Sequence, residues 1–209
     1  MTAIPSQLGR PAGANAEHTR RRILTAAMRC VAEVGYTQTT IREIARAADM
    51  TSGTLYHYFP NKSELLKATG DEIEAIVAPR LRAAAAASDD VVDRLDAVLD
   101  ESQRLIRDYP YLAAFVRAVR AGSTRPSRPE SPPHPESKAL RDVVTEIVAD
   151  ARTHGALSPE AEPTAVVETI CALTRGLSER AASLPPVAYE ATLDSAKKLI
   201  RGSLFARPT

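Results

Sequence analysis

The residues whose types and spacing could do chemistry fall between Thr51 and Lys62, in the run TSGTLYHYFPNK. At helical spacing, Leu55, Tyr58 and Phe59 share one face, and Ser52, Gly53, Thr54, Tyr56 and His57 point the other way. The second set offers hydroxyls, a bare backbone position, a phenol and an imidazole. Such groups reach base edges or phosphates in a DNA major groove, and Gly53 lets the backbone approach closely. Lys62, just beyond, supplies a point charge suited to a phosphate. Reaction chemistry is harder to find. The four histidines, at positions 18, 57, 134 and 154, are scattered, and no glycine loop would cradle a phosphate. No nucleophile, acid–base pair or metal cluster stands out, so an enzyme, a metal site and a cofactor are not expected.

The elements that must hold this face are two short helices. Thr40 with Glu43 three residues on makes a capping box, and Ile41, Ile44, Ala45 and Ala48 then form one apolar face. That helix is too short to stand alone, so its face must be buried. Thr51 is a second N-cap. Small Ala45 allows the two helices to cross closely, and Met50, Leu55 and Tyr58 take later inner positions, which together spell a helix-turn-helix. Many such turns use glycine where φ is positive; this chain has Asp49, a residue that tolerates that conformation better than most.

Composition and pattern place the motif in an all-α chain. Hydrophobic residues make up 44% of the 209, enough for a core, and aromatics only 4%. Residues 1–62 carry eight Lys or Arg against four Asp or Glu, while the remainder has nineteen against twenty-two, so positive charge gathers beside the motif. Arg20, Arg21 and Arg22 form a run there. Residues 1–15 read as a flexible arm, followed by a helix from Glu17 to Val34 that Gly35 stops. Asn61 with Glu64 caps a helix to about Ala87. Further helical patterns cover Asp90–Asp108, Pro110–Ala121, Ser137–His154, Glu162–Leu184 and Val187–Leu204, about nine helices in all. Segment 122–135 holds prolines at 126, 129, 132, 133 and 135 and is expected to be a loop. Cys30 and Cys171 sit apart in apolar patterns, as buried thiols in a reducing compartment would. With no apolar run of membrane-spanning length and no signal-peptide core after Met1, a cytoplasmic protein is expected.

From Ile23 to Leu66, and above all in GYTQTTIREIARAADMTSGTLYHYFPNKSELL, the sequence resembles the amino-terminal domain of TetR-family regulators. The resemblance covers about the first 70 residues. It implies a three-helix DNA-binding domain (residues 16–62) followed by a larger helical effector-binding and dimerisation domain (63–209). It also implies that Thr40 contacts the DNA backbone, that Thr51, Ser52, Gly53 and His57 lie at or near bases, and that Tyr56, Tyr58 and Lys62 meet phosphates; core packing is the competing reading for Tyr58.

A single helix-turn-helix reads few base pairs, so a homodimer on a near-palindromic double-stranded operator is expected. On the helix at 166–184, Ile170, Leu173 and Leu177 make one stripe and Thr169, Ala172 and Gly176 a flat second face; Thr169, Ala172, Leu173, Gly176 and Leu177 are the candidate interface. For the effector, the body's aromatics Tyr109, Tyr111 and Phe115 and the arginines Arg117, Arg120 and Arg175 are candidates, with a mainly hydrophobic small molecule as ligand. The resemblance implies a repressor released by ligand, with the helix beginning at Lys62 as the lever. Two other functions fit the same residues: a transcriptional activator, or a dimeric small-molecule or protein-binding module without DNA function.

Overall fold

The computed structural model describes residues 12–123, 138–181 and 183–202, with side chains from Asn15 onward. Among these residues there are nine α-helices and no strand: α1 (Ala12–Val34), α2 (Ile41–Ala47), α3 (Ser52–Tyr58), α4 (Lys62–Ala85), α5 (Val91–Asp108), α6 (Leu112–Ser123), α7 (Lys138–Thr153), α8 (Pro163–Ala181) and α9 (Pro186–Ile200). Each begins or ends where local chemistry directs. Asn61 accepts from the Glu64 amide to open α4, and Asp90 accepts from the amides of Val92 and Asp93 to open α5. Gly35 follows α1 at φ +89°, a backbone conformation that costs glycine little.

Three apolar clusters hold the helices together. The first joins Ile23, Leu24 and Val31 of α1, Ile44 and Ala45 of α2 and Leu55 of α3, and takes in Leu65 and Leu66 of α4 and Phe115 of α6. The unit around the helix pair is therefore not closed at residue 62. Its core needs one side chain from deep in the following body. The second cluster packs Val77 and Leu81 of α4 against Leu95 and Val98 of α5, Val144 and Ile147 of α7 and Ile170 of α8. The third, smaller, brings Leu99, Leu177, Leu193 and Ala196 together. Polar clamps register these layers. Arg80 of α4 reaches Glu101 Oε1 at 2.5 Å and Asp108 Oδ2 at 2.7 Å on α5, and Glu74 of α4 accepts from the amides of Lys138 and Ala139 that open α7.

Several boundaries differ from the sequence reading. Helix α1 begins at Ala12, so residues 12–15, expected in a flexible arm, form its first turn; alanines at 12, 14 and 16 favour helix without needing an apolar face. Pro79 lies inside α4, where it removes one amide from the helical ladder without ending the helix. Gly122 and Ser123 complete α6 rather than opening the proline segment, and residues 124–137 lie outside the described region, as does Leu204. Cys30 and Cys171 are buried and free, and burial pushes both thiols above their ordinary value of 9.0. Among the described residues no helix is long and apolar enough to cross a membrane.

Candidate nucleic-acid interface and effector cavity

The helix pair is fixed by hydrogen bonds that its own sequence supplies. The Thr40 hydroxyl accepts from the Glu43 amide at 3.2 Å, and the Glu43 carboxylate accepts from the Thr40 amide at 2.8 Å and its hydroxyl at 2.9 Å. Those bonds hold the Glu43 carboxyl below its ordinary range. At the far end of α2, the Met50 amide donates back to the Ala45 carbonyl at 3.0 Å, while Asp49 takes φ +53°. Aspartate thus does occupy the left-handed turn position usually given to glycine. Ala45 is 1% exposed, which explains why nothing larger fits at the crossing.

On α3 the Thr51 hydroxyl accepts from the Thr54 amide at 3.1 Å and pairs with the Thr54 hydroxyl at 2.9 Å. Gly53, Thr54, Tyr56 and His57 are exposed and Ser52 is half-buried, so the candidate readers stand on one open face. A Cβ at Gly53 would meet only Thr51 Oγ1, at 3.8 Å; the glycine leaves the surface flat without being demanded by packing. Tyr58 is half-buried against the first cluster, with Leu55 and Phe59 wholly inside it, so its ring serves the core.

Lys62 is placed differently from a free point charge. Its ammonium donates to the Tyr36 carbonyl at 2.5 Å and the Thr37 carbonyl at 3.3 Å, and lies 5.1 Å from the centroid of the Tyr36 ring. Burial lowers its pKa, with Glu43 opposing. Lys62 therefore ties the start of α4 to the loop between α1 and α2. Arg20 is likewise engaged, over the Phe59 ring and 3.5 Å from Glu72, and Arg21 pairs with Glu17 at 3.2 Å.

In the body, a cavity of about 120 Å³ opens between α4, α5, α6, α7 and α8. Of the candidate effector residues, Arg117, Arg120 and Arg175 line it. The three aromatics do not. Phe115 is 3% exposed in the first cluster, Tyr109 borders a separate cavity against α1, and Tyr111 lies 38% exposed at the surface near His18 and Arg29. Periodicity could not distinguish them, because Tyr109 and Tyr111 lie in the connection between α5 and α6, and Phe115 on α6 turns toward the first cluster. Glu179, Ser178 and the apolar wall of Ile73, Val77 and Leu140 were not foreseen; only their common chamber, made by five helices, identifies them.

The proposed dimer residues divide as well. Thr169, Ala172 and Gly176 are exposed on α8, but Leu177 is 5% exposed within the protomer and Leu173 packs beside it. The flat face and the leucine stripe are separate sides of one helix, and only the flat face is open. Val187 and Leu199 of α9 extend the exposed apolar surface at 79% and 51%. Among the described residues no group of His, Cys, Asp or Glu is arranged to hold a metal.

Nine helices and no strand among the described residues, with a capped helix pair at α2 and α3, define an all-helical helix-turn-helix protein. Residues 23–69 match the model of the bacterial regulatory proteins, tetR family. The likeness to that family model lies in α1 to α4, the part that carries the helix pair. The chain is 38% identical over 109 residues to the HTH-type transcriptional repressor KstR of Mycolicibacterium smegmatis, a match covering 51% of this chain and 53% of that protein. The chain thus spans about half the length of such curated relatives. The likeness of fold runs further. The transcriptional regulator FadR from Bacillus subtilis, solved in complex with stearoyl-CoA, superposes with a TM-score of 0.71 at 17% identity, over 88% of this chain and 99% of that one. AibR in complex with isovaleryl coenzyme A and operator DNA superposes at 0.66 with 21% identity, over 87% and 97%.

Proposed function

We propose that this protein is a sequence-specific DNA-binding transcriptional regulator, a homodimeric repressor released from a near-palindromic operator by a small, mainly apolar ligand. The observation that carries the reading is the open face of α3: Gly53, Thr54, Tyr56 and His57 exposed together, on a helix locked by the Thr51 cap and by the buried Leu55. Thr40, Thr51, Ser52 and Tyr58 complete the contact set, Thr40 and Thr51 through the helix starts and Tyr58 through its phenol edge. Lys62 contributes by holding the loop at Tyr36 as much as by its charge. The names of the similar proteins support the same function, as does the operator DNA in the AibR complex. Residues 63–209 form the effector and dimerisation part, with Arg117 and Arg175 in the pocket and Thr169, Ala172 and Gly176 on the dimer face. A cytoplasmic location belongs to this reading.

Selection of sites from a random duplex pool by the purified protein, followed at two salt concentrations, tests it. An enriched near-palindrome whose binding weakens with salt is expected. Weak, salt-sensitive binding with no enriched sequence would overturn the functional reading and leave the fold intact.

A further inference from the structure

The body cavity combines two features that a simple apolar pocket would not. Most of its wall is hydrocarbon, including Ile73, Val77 and Leu112, yet among the described residues three guanidinium groups share it with one carboxylate, Glu179. That carboxylate does little for Arg120: Glu179 Oε1 lies 4.0 Å from Arg120 Nη1, and its side chain is 53% exposed to water. The Arg120 Nε is buried and has no hydrogen-bond partner among the described residues. Burial, and then repulsion from Arg175, pull the Arg120 pKa below its ordinary value. A buried guanidinium N–H with no acceptor, in an apolar wall and beside a second guanidinium, is costly unless an anion meets it. A planar carboxylate or a phosphate matches the guanidinium fork and would satisfy the orphaned Nε–H.

We propose that the effector is an anionic amphiphile, with a carboxylate or phosphate head held by Arg120 and Arg175 and an apolar tail laid along Ile73, Val77 and Leu112. The assignment rests on the reading of this cavity as the effector site. Ile73, Val77 and Leu112 also border the neighbouring cavity against α1, so the two chambers share an apolar wall. Arg117 is exposed at the rim and adds to the positive field that draws the head inward.

The test uses the full chain without DNA and three probes with one tail: decanoate, decanoyl coenzyme A and 1-decanol. Binding is followed by calorimetry at fixed ionic strength. At least one anionic probe is expected to bind at least about tenfold more tightly than the alcohol. A preference for decanoate assigns a carboxylate head, and a preference for the thioester assigns a phosphate head. Arg120→Met should abolish the preference while leaving 1-decanol binding within about twofold, and Arg120→Lys should retain part of it. If Arg120→Met melts early, Arg175→Met carries the same expectation. Equal binding of acid, thioester and alcohol overturns the proposal, as does a preference that survives both methionine variants or no binding of any probe. Because the readout contains no DNA, failure here leaves the operator selection standing, and failure of that selection leaves the head-group preference measurable.

Discussion

The helix pair and the body cavity are built from the same kinds of helix, but they gather their functional groups in opposite ways. Every group on the α3 face lies within the stretch from Thr51 to Lys62, and the caps that fix it are three residues from what they cap. The cavity draws Val77 from α4, Leu105 from α5, Arg120 from α6, Leu140 from α7 and Arg175 from α8. One site is specified by neighbours in sequence, the other only by packing. Helix α6 belongs to both, with Phe115 in the first cluster and Val116, Arg117 and Arg120 on the cavity. Helix α4, the lever that the resemblance implies, belongs to both as well, with Leu65 and Leu66 in the first cluster and Ile73 and Val77 on the cavity, so α6 is a second link beside it.

The largest expected effect separates the two regions. Leu55 is fully buried, so Leu55→Ala should cost about 2–5 kcal/mol and abolish operator binding, because Leu55 is the buried residue within α3 itself. Leu177→Ala in the third cluster should cost a similar amount in thermal unfolding, yet below its melting temperature each protomer should keep its α3 face and its salt-dependent DNA contact. Equal loss of DNA binding in both variants would break the division between a locally built and a globally built site.

Two glycines give the next contrast. A Cβ at Gly122 would lie 2.7 Å from Tyr36 Cδ1 and 2.8 Å from Tyr36 Cβ, against a loop pinned by Lys62. Gly122→Ala should therefore cost about 1–3 kcal/mol and disturb the junction between α6 and the helix pair. A Cβ at Gly176 meets nothing within 4 Å in the protomer, and alanine there should stabilise an isolated helix by about 0.5–1 kcal/mol. If α8 is the dimer face, sedimentation will show Gly176→Ala weakening the dimer while the protomer gains. An unchanged dimer would move the interface elsewhere.

These contrasts also show why the sequence was legible in one place and not in another. Helix type, the capping box at Thr40 and the Thr51 cap depend on residues three apart and are present as read, whereas the box read at Asn61 shows only its first half, Asn61 accepting from the Glu64 amide. The left-handed turn at Asp49 was legible for the same reason. The roles of Lys62 and Phe115 were not. Lys62 meets carbonyls 25 and 26 residues away, and Phe115 enters a core whose other members lie far earlier in the chain. Periodicity marks a residue as inward-facing but does not say toward which neighbour, and this is why Leu177 read as an interface residue although its side chain is enclosed by Leu193 and Ala196.

Caps should show a smaller, local effect. Thr40→Ala removes the acceptor for the Glu43 amide and a donor to the Glu43 carboxylate, and should cost about 1 kcal/mol. It should also change the pH response. The folded state holds the Glu43 pKa below its ordinary 4.5, so the stability this adds is complete above 4.5 and is lost as pH falls through the lowered value. Acid unfolding of Thr40→Ala should accordingly lose part of that dependence below 4.5, whereas Leu177→Ala should keep it. Identical acid limbs in the two variants would mean that the α2 box is not coupled to global unfolding.

The smallest change expected is a gain. Asp49 adopts φ +53° in the turn between α2 and α3, a conformation in which any Cβ is crowded and aspartate only partly compensates. Its side chain is exposed, so replacement disturbs no packing. Asp49→Gly should relieve the crowding but give the unfolded chain more freedom, leaving a net stabilisation below about 1 kcal/mol in urea unfolding. The substitution also removes a negative charge next to the α3 face. Affinity for random-sequence DNA should therefore rise at low salt, and the gain should fade as ionic strength increases. A loss of stability would show that the Asp49 carboxylate supports the turn in a way its geometry does not reveal. Unchanged stability with unchanged DNA affinity would place the turn farther from the phosphates than the α3 reading requires.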